Sequence, residues 1–464
     1  MENFSEWYSE ILERAEIYDV RYPIKGCGVY LPYGFKIRRY TFDILRRLLE
    51  ERGHEEVLFP LLIPEDLLAK EGEHIKGFED EVFWVTHGGK KPLEVKLALR
   101  PTSETSIYYM MKLWIKVHKD LPIKLFQVVN TFRYETKHTR PLIRLREIMT
   151  FKEAHTAHAT MEDAENQVKE AIEIYKEFFH ELGIPVIVSR RPEWDKFPGA
   201  EYTVAFDTIF PDGRAIQIGT VHNLGQNFSK TFDLEFETLE GGKDYVYQTC
   251  YGISDRAIAS IIAIHGDEKG LILPPNVAPI QVVIVPLLFK GKREIVENKA
   301  TELYNLLKET GIRVKIDDRD IRPGRKFNDW ELRGVPVRIE VGPKDVENKM
   351  VTIYRRDTGE KYQIKEEEVK DEILNLLERI KDNLRERAKE RMEKYITLVD
   401  YTEDAPIEEV GNRVKEILKE KKGIALIPYS ESIYNEDFEE KIEASILGTT
   451  EYNGEKYIAV GRTY

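Results

Sequence analysis

The chain has 464 residues, and because a single hydrophobic core rarely extends beyond about 250 to 300 residues, we expect two or three domains. A composition of 42% hydrophobic and 33% charged residues is typical of a globular protein, and no segment contains the roughly 18 consecutive apolar residues that a membrane helix requires. The formal charge of −13 excludes a surface that is basic throughout, although a local basic patch is enough to bind nucleic acid.

Neither a secretory signal nor a thiol-based site is expected. Residues 1–19 mix acids with apolar residues at helical spacing and lack the basic region and apolar run of a signal peptide, so we expect a cytoplasmic protein. Cys27 and Cys250 are the two cysteines, which excludes a disulfide framework and a zinc site made of four thiolates.

The N-terminal part of the chain predicts helices mixed with antiparallel strands. Residues 34–53 have helical periodicity ending at Gly53, and residues 57–64 predict a strand that contains Pro60, as an edge or interface strand can. A second helix is predicted from Thr160 to Gly183, with Asp163 completing a variant of the capping box.

Further along, two strand-like runs between Tyr202 and Leu224 flank turn residues 210–213, which predicts a hairpin. After Pro274-Pro275 the pattern changes to strand, helix, strand, short helix and strand, which indicates a small α/β domain with a partly parallel sheet. From about Lys365 a charged helix leads to a final segment with short strands.

Two short segments carry candidate chemistry. Phe132-Arg133-Tyr134-Glu135 ends a predicted strand, where an arginine fork can hold a phosphate and a carboxylate, and Glu135 shares its strand face. Gly252 to Arg256 leads directly into an apolar helix, so loop amides and Arg256 converge at a helix N-terminus that favours polyphosphate. Taken singly, the first segment is better explained by a surface ion pair and the second by a capped core helix with one solvated arginine.

In chain order, a long helix before a proline-bearing strand, FRxE, and GxSxR opening a helix resemble the three motifs of class II aminoacyl-tRNA synthetases. Within that class the chain is similar to the prolyl-tRNA synthetase family. The similarity lies in LRPTSET (99–105), FKEAHTAH (151–158), the segments 220–233 and 265–275, and the segment 317–343.

The resemblance implies an α+β multidomain protein in the form that lacks an inserted editing domain. It implies an antiparallel-sheet catalytic domain of class II synthetase type at 1–277, an α/β anticodon-binding domain at 278–382, and a small α+β C-terminal domain at 383–464. The implied activity is ATP-dependent activation of proline and its transfer to tRNA(Pro) by a homodimer, with Mg²⁺ bound to the substrate phosphates.

The resemblance also implies roles for particular residues. Arg133 and Arg256 would be catalytic. ATP would be bound by Arg133, Glu135, Arg144, Gln217, Thr220 and Arg256. The proline pocket would be shaped by Phe78, Glu81, Thr102, Glu104, Arg133, Phe151, Glu153, His155, His222 and Ser254. The tRNA would be contacted by Glu340, Arg355 and Arg356.

These residue types suit the chemistry. Glu104 and the Thr102 hydroxyl can accept the two N–H groups of the proline ammonium, and Phe151 and His155 can enclose its ring. Strand parity puts Gln217 on the opposite face from Thr220, so a shared site requires a bulge, for which Gly219 is the natural place.

The chain departs from the family in two places. Phe151 stands where the family usually has tryptophan, and the C-terminal segment lacks the four cysteines that bind zinc in many members, so we expect no structural zinc. His155 and His158 stand three residues apart and suggest a metal pair, but no further ligand follows at a familiar spacing.

Two alternative functions remain open. One is a synthetase-like paralogue that binds nucleotide or tRNA without charging it, although all three candidate ATP arginines are present. The other is a threonyl-tRNA synthetase, whose catalytic zinc requires a suitably placed cysteine that we do not find.

Overall fold

The computed structural model describes residues 3–72, 78–402 and 404–464, without the side chains of residues 71, 72, 78 and 79. Residues up to about 275 form the helices α1 (Phe4–Arg14), α2 (Pro32–Glu50), α3 (Glu65–Gly72), α4 (Glu104–Trp114), α5 (Met161–Glu181), α6 (Asn227–Thr231) and α7 (Arg256–His265). Their strands are β1 (Tyr18–Asp19), β2 (Val29–Tyr30), β3 (Glu55–Glu56), β4 (Leu62–Pro64), β5 (Phe83–Gly88), β6 (Lys91–Leu99), β7 (Ile123–Phe132), β8 (Glu147–His158), β9 (Ile187–Arg190), β10 (Tyr202–Ile209), β11 (Ala215–Gly225), β12 (Glu235–Glu237), β13 (Lys243–Tyr245) and β14 (Tyr247–Ser254).

The following region contains β15 (Val282–Pro286), α8 (Arg293–Glu309), β16 (Val314–Ile316), α9 (Pro323–Leu332), β17 (Val337–Val341), α10 (Pro343–Glu347), β18 (Met350–Arg355), β19 (Lys361–Lys365) and α11 (Val369–Lys394). The last region contains β20 (Ile396–Leu398), α12 (Ile407–Glu420), β21 (Ile424–Pro428), α13 (Glu436–Ile442), β22 (Ser445–Tyr452) and β23 (Glu455–Gly461). Short 3₁₀ helices lie at Phe78–Glu81, His118–Asp120 and Glu366–Glu368.

The scaffold of the first region is an antiparallel run of strands in the order β9-β10-β11-β14-β8-β7, with β3 parallel to β7 at the edge. Helix α5 packs against β8, β11 and β14 and buries Tyr175, Phe178 and Phe179 in the largest core cluster. The Thr160 side chain accepts from the Asp163 amide, so the predicted helix start is confirmed. The predicted hairpin is also confirmed, as β10 and β11 pair antiparallel around residues 210–214.

The predicted strand through Pro60 is wrong. Two short strands, β3 and β4, flank residues 57–61, and Pro60 lies in neither. Proline has no backbone N–H to donate to a strand ladder. Side chains form the hydrogen bonds of the preceding residue, Phe59, instead. The Gln127 Oε1 accepts from the Phe59 amide at 3.0 Å, and Arg100 donates to the Phe59 carbonyl at 3.0 Å.

The second region has the predicted partly parallel sheet. Its strand order is β16-β15-β17-β18-β19, in which β15 pairs parallel with β16 and β17, while β18 and β19 add antiparallel strands. The helix α8 covers β15, β16 and β17.

The C-terminal strands extend the central sheet of the first region. β22 pairs with β9 through Thr449 and Arg190, which places β20-β21-β23-β22 in one sheet with the strands of the first region. Side chains reinforce this junction, since Ser189 and Arg191 both donate to the Leu447 carbonyl, at 3.0 and 2.5 Å. In the part of the chain that is described, the helices lack the length and apolar character that a membrane span needs.

Candidate active site

Two cavities adjoin at the face of the central sheet. The first has a volume of about 220 Å³ and the second about 570 Å³. Both are lined by Arg133, Phe151, Gln217, Thr220 and Gly252, so one shared wall separates them. A molecule in one cavity therefore lies next to a molecule in the other.

The first cavity carries a cluster of cations. Arg133 follows the end of β7, Arg144 belongs to the loop before β8, and Arg256 begins α7. Burial, and then the charges of Arg144 and Arg133, lower the pKa of Arg256 to about 10. Three cations that repel one another inside a cavity favour a polyanionic ligand, which would relieve that repulsion.

Backbone carbonyls hold the Arg256 guanidinium in place. Its Nε donates to the Ile143 carbonyl and its Nη1 to the Gln217 carbonyl, both at 2.9 Å. Because a guanidinium has five N–H groups, donors remain for a ligand. The positive end of the α7 dipole points at the same cavity, which adds to the attraction for phosphate.

Asp255 precedes α7 and holds its start in place through hydrogen bonds to β2 and β8. Its carboxylate accepts from the Tyr30 hydroxyl at 2.6 Å and from the Thr150 amide at 3.0 Å. Burial raises the pKa of this carboxyl, while the hydrogen bonds from Tyr30 and Thr150 lower it. The group is thus a structural anchor, and Glu135 is left as the accessible carboxylate in the lining of this cavity.

The predicted bulge in β11 is confirmed, but it lies one residue before the expected position, Gly219. Phe206 pairs with Gly219 and Asp207 pairs with Gln217, so Ile218 is the additional residue. This shift resets the alternation of the strand. As a result, Gln217 and Thr220 line the same two cavities.

The second cavity combines carboxylates with imidazoles. The Thr102 hydroxyl donates to the Glu104 carboxylate, and both residues line the cavity. Glu153 contacts the His155 Nε2 at 2.7 Å and accepts from the Ser103 hydroxyl at 2.8 Å. Anionic groups of this kind suit a small ligand that carries an ammonium group.

His222 presents a neutral ring to the second cavity. Its Nδ1 lies 2.8 Å from the Thr203 hydroxyl and its Nε2 lies 3.1 Å from the Thr220 hydroxyl, while its ring centroid is 4.8 Å from that of Phe197. Burial, and then the charge of His155, lower the pKa of His222 to about 3. The ring therefore adds no positive charge at neutral pH that would repel a bound ammonium.

Most of the predicted ligand-binding residues line the cavity that suits the ligand assigned to them, with three exceptions. Ser254 lines the first cavity instead of the second, and its hydroxyl accepts from the Arg256 amide at 3.3 Å. Glu81 lines neither cavity, although its carbonyl accepts from the Tyr134 amide at 2.8 Å. The Phe78 side chain lies outside the described residues.

His155 and His158 do not form a pair. They stand three apart on β8 and have separate partners, with His158 contacting Asp163 at 2.5 Å and Thr156 at 2.8 Å. Among the residues that the structure describes, no three histidine, cysteine or carboxylate side chains converge as a metal site would require.

One part of the second cavity consists of residues that were not among those predicted from the sequence. The loop between β9 and β10 contributes Trp194, Lys196, Phe197 and Pro198 to the second cavity. Two aromatic residues in a proline-containing loop between predicted strands were a usable signal, because loops on a rigid scaffold often carry binding residues.

The candidate tRNA-contacting residues are engaged in ion pairs. The Glu340 carboxylate lies 2.8 Å from the Lys361 Nζ and 3.6 Å from the Arg338 Nε. Arg355 forms two hydrogen bonds with Asp357, at 2.8 and 2.7 Å. Arg356 is 3% exposed and binds Asp267 through both terminal nitrogens, so it fastens the α/β region to the segment after α7.

Three family models match the chain. They are the tRNA synthetase class II core domain (G, H, P, S and T) at residues 83–265, the anticodon binding domain at 281–376, and the prolyl-tRNA synthetase C-terminal domain at 396–464. The proline–tRNA ligase of Methanocaldococcus jannaschii is 73% identical over 461 residues, which is 99% of this chain and 100% of the relative. That of Methanococcus aeolicus is 69% identical over the full length of both chains.

Solved structures agree with these relatives. The Giardia lamblia prolyl-tRNA synthetase in complex with prolyl-adenylate has a TM-score of 0.94 and 37% identity, covering 100% of this chain and 98% of that one. The Cryptosporidium parvum prolyl-tRNA synthetase complexed with halofuginone and AMPPNP has a TM-score of 0.92 and 35% identity, covering 100% and 95%. As predicted from its motifs, the chain belongs to the prolyl-tRNA synthetase family of class II aminoacyl-tRNA synthetases.

Proposed function

We propose that this chain activates L-proline with ATP to form prolyl-adenylate and then transfers the prolyl group to the 3′ end of tRNA(Pro). The observation that carries the proposal is the pair of adjoining cavities that share Arg133. One is lined by three arginines and suits a triphosphate, while the other is lined by carboxylates, imidazoles and aromatic rings and suits a small cyclic ammonium. A relative of this fold is described in complex with prolyl-adenylate.

In the activation step a proline carboxylate oxygen attacks the α-phosphorus of ATP. An oxygen–phosphorus bond forms, the bond from the α-phosphorus to the bridging oxygen breaks, and pyrophosphate leaves with its electron pair. Because both reactants are anions, positioning and charge neutralisation supply most of the acceleration. Arg133 stands between the cavities and contacts both reactants, and Arg144 and Arg256 bind the phosphates.

The ring and ammonium of proline are assigned to the second cavity. Glu104 and Thr102 accept from the ammonium, and Phe151 and His155 enclose the ring. The ammonium of proline carries two N–H groups, whereas a primary amino acid carries three, so the placement of these acceptors contributes to selection.

Magnesium is proposed to arrive with ATP. The ion commonly binds through one or two carboxylates together with substrate phosphates, and Glu135 is the accessible carboxylate in the arginine-lined cavity. When bound, Mg²⁺ neutralises charge on the phosphates. The lining of this cavity therefore suits an ion that is bound mainly by the substrate phosphates, and not an ion bound by protein ligands alone.

We also propose that the chain acts as a homodimer in the cytoplasm, where charged tRNA is consumed, and that its α/β region binds the anticodon. An apolar groove of about 1000 Å³ supports the dimer, since Leu58, Tyr109 and Trp114 line it and are 82%, 49% and 44% exposed. Apolar surfaces of this kind are typical of protein interfaces.

Exchange of labelled pyrophosphate into ATP, tested with each of the twenty amino acids, examines the proposal. We expect exchange with proline, and weaker exchange with alanine and cysteine, because small side chains differ by only about 1 to 3 kcal/mol in an apolar pocket. No exchange with any amino acid would favour a paralogue that does not charge tRNA, and exchange with threonine alone would favour the threonyl alternative.

A further inference from the structure

Helix α7 begins at the arginine-lined cavity, and its C-terminal end contacts arginines of α11, which lies outside the first region. Arg256 is the first residue of α7 and His265 is the last, about 13.5 Å away along the axis at a rise of roughly 1.5 Å per residue. The last four carbonyls of any α-helix lack partners within the helix. In α7, two of them are bound by side chains of α11, the long helix that leaves the α/β region.

Two arginines of α11 make these contacts. The Arg391 Nη1 donates to the Ile264 carbonyl at 2.6 Å. The Arg387 Nη2 donates to the His265 carbonyl at 3.2 Å, and its Nη1 donates to the Asp357 carbonyl at 3.0 Å. Positive charge at a helix C-terminus is favourable because it opposes the negative end of the helix dipole.

The segment after α7 is fastened to the same neighbour. Arg356 donates to both oxygens of Asp267, at 2.8 and 2.6 Å, and its Nε donates to the Glu331 carbonyl at 2.9 Å. Arg387 also contacts the residues that follow β18, because it donates to the carbonyl of Asp357, the residue after Arg356. The C-terminal end of α7 is therefore held jointly by α11 and by the α/β region.

α7 can transmit this constraint because it is rigid. Every residue from Ala257 to His265 is buried, and the helix packs against α2, α11, β11 and β14. In a close-packed interior a helix of this length moves as a unit. A shift at its C-terminal end therefore changes the position of Arg256 relative to its carbonyl partners Ile143 and Gln217.

We propose that Arg387 and Arg391 are positioning residues for ATP: by fixing the C-terminal end of α7, they set the placement of Arg256 in the phosphate cavity. ATP binding then depends on how α11 is seated, which links the α/β region to the activation site. The proposal rests on the proposed function for one point, namely that the arginine-lined cavity binds ATP.

Titration calorimetry of the full-length protein with MgATP tests the proposal. Arg391→Ala and Arg387→Ala should each raise the Kd for ATP by roughly three- to tenfold. The matched control is Arg385→Ala. Arg385 also lies on α11 and also donates to a carbonyl of the first region, but that carbonyl belongs to His180 in α5, at 3.0 Å. Its Kd should stay at the parent value.

A double-mutant cycle separates positioning from general damage. In an Arg256→Ala background, adding Arg391→Ala should leave the Kd for ATP unchanged, because the residue that it positions is absent. Arg391→Lys, which keeps a charge and a donor, should restore most of the affinity. If Arg391→Ala unfolds below the assay temperature, Arg391→Gln replaces it in the same cycle.

Additive effects in the cycle, or an equal loss in Arg385→Ala, would overturn the proposal. The measurement uses ATP binding alone. If the parent binds ATP but gives no proline-dependent exchange, the proposed function fails and the positioning role is still tested.

Discussion

Arg133 and Phe151 lie together in the wall shared by the two cavities of the candidate active site. Arg133 follows β7 and Phe151 belongs to β8, the strand that pairs with it. In the proposed reaction, Arg133 would therefore reach both reacting groups, and the Phe151 ring would stand between the rest of the two ligands.

Replacement of Arg133 by alanine should raise the activation free energy of proline activation by roughly 2 to 4 kcal/mol, the scale of losing one donor to a transition-state anion. Pyrophosphate exchange at saturating ATP and proline measures this loss. Lys137→Ala is the matched control, since Lys137 is an exposed cation of the same loop that lines neither cavity. An Arg133→Ala rate within threefold of the parent would show that the site is misassigned.

Local signals in the sequence predicted much of the scaffold. The Thr160 cap, the hairpin at 210–214 and the alternation after Pro275 each depend on short-range chemistry, and the structure has all three. A bulge in β11 was predictable because side chains alternate along a strand, which would place Gln217 and Thr220 on opposite faces although both were assigned to one site. One additional residue, Ile218, brings them to the same face.

Long-range contacts were not predictable in the same way. β22 joins the central sheet through Thr449 and Arg190, and no residue pattern in either strand specifies that partner. The arginines of α11 present the same difficulty. In a helix rich in charge, Arg387 and Arg391 resemble their solvated neighbours, and their roles become visible once α11 is docked against α7.

The stability of the fold should fall in mild acid, in part because of His222. A histidine in the unfolded chain binds a proton below a pH of about 6.5, whereas His222 in the folded protein has a pKa of about 3. Between these values the unfolded state binds more protons, so stability rises with pH and is lost as the pH falls from 6.5 towards 3. The loss is about 2 kcal/mol at pH 5 for one such residue.

Thermal unfolding at pH 7 and pH 5 checks the contribution of His222. The decrease in Tm between the two values should be smaller in His222→Asn than in the parent, whatever the Tm at pH 7. An identical decrease in both proteins would show that His222 titrates normally in the folded state.

The apolar groove around Leu58 gives a test of the proposed homodimer. Leu58→Lys should shift the protein towards monomer at micromolar concentration in sedimentation velocity, because a charge would be buried at the interface. Leu239→Lys is the control, since Leu239 is 75% exposed and does not line the groove. Parent protein that sediments as a monomer at the same concentration would contradict the assignment of this surface.

The C-terminal region should be stable without zinc. Its core contains Val414, Ile427, Phe438 and Val460, and its strands continue the central sheet. We expect chelator-washed protein to contain well below one zinc ion per chain and to keep its Tm when chelator is present. Stoichiometric zinc in metal analysis would overturn this expectation.

Replacement of Glu340 separates the two halves of the proposed reaction. Glu340 lies on β17, is 5% exposed, and is paired with Lys361 at 2.8 Å. If the α/β region recognises the anticodon, this carboxylate accepts hydrogen bonds from a guanine base. Glu340→Ala should then lower kcat/KM for tRNA charging by about 1 to 3 kcal/mol, the usual scale of one base contact.

Pyrophosphate exchange with proline and ATP should stay near the parent rate in Glu340→Ala, because the two cavities proposed to bind these substrates are lined by residues of the first region. Lys361→Ala supplies the control: it removes the ion pair but leaves the carboxylate, so charging should fall less than in Glu340→Ala. Equal losses in charging and exchange would indicate a structural role, in which Glu340 serves to neutralise Lys361 and Arg338. Unchanged charging in Glu340→Ala would remove this residue from the recognition surface.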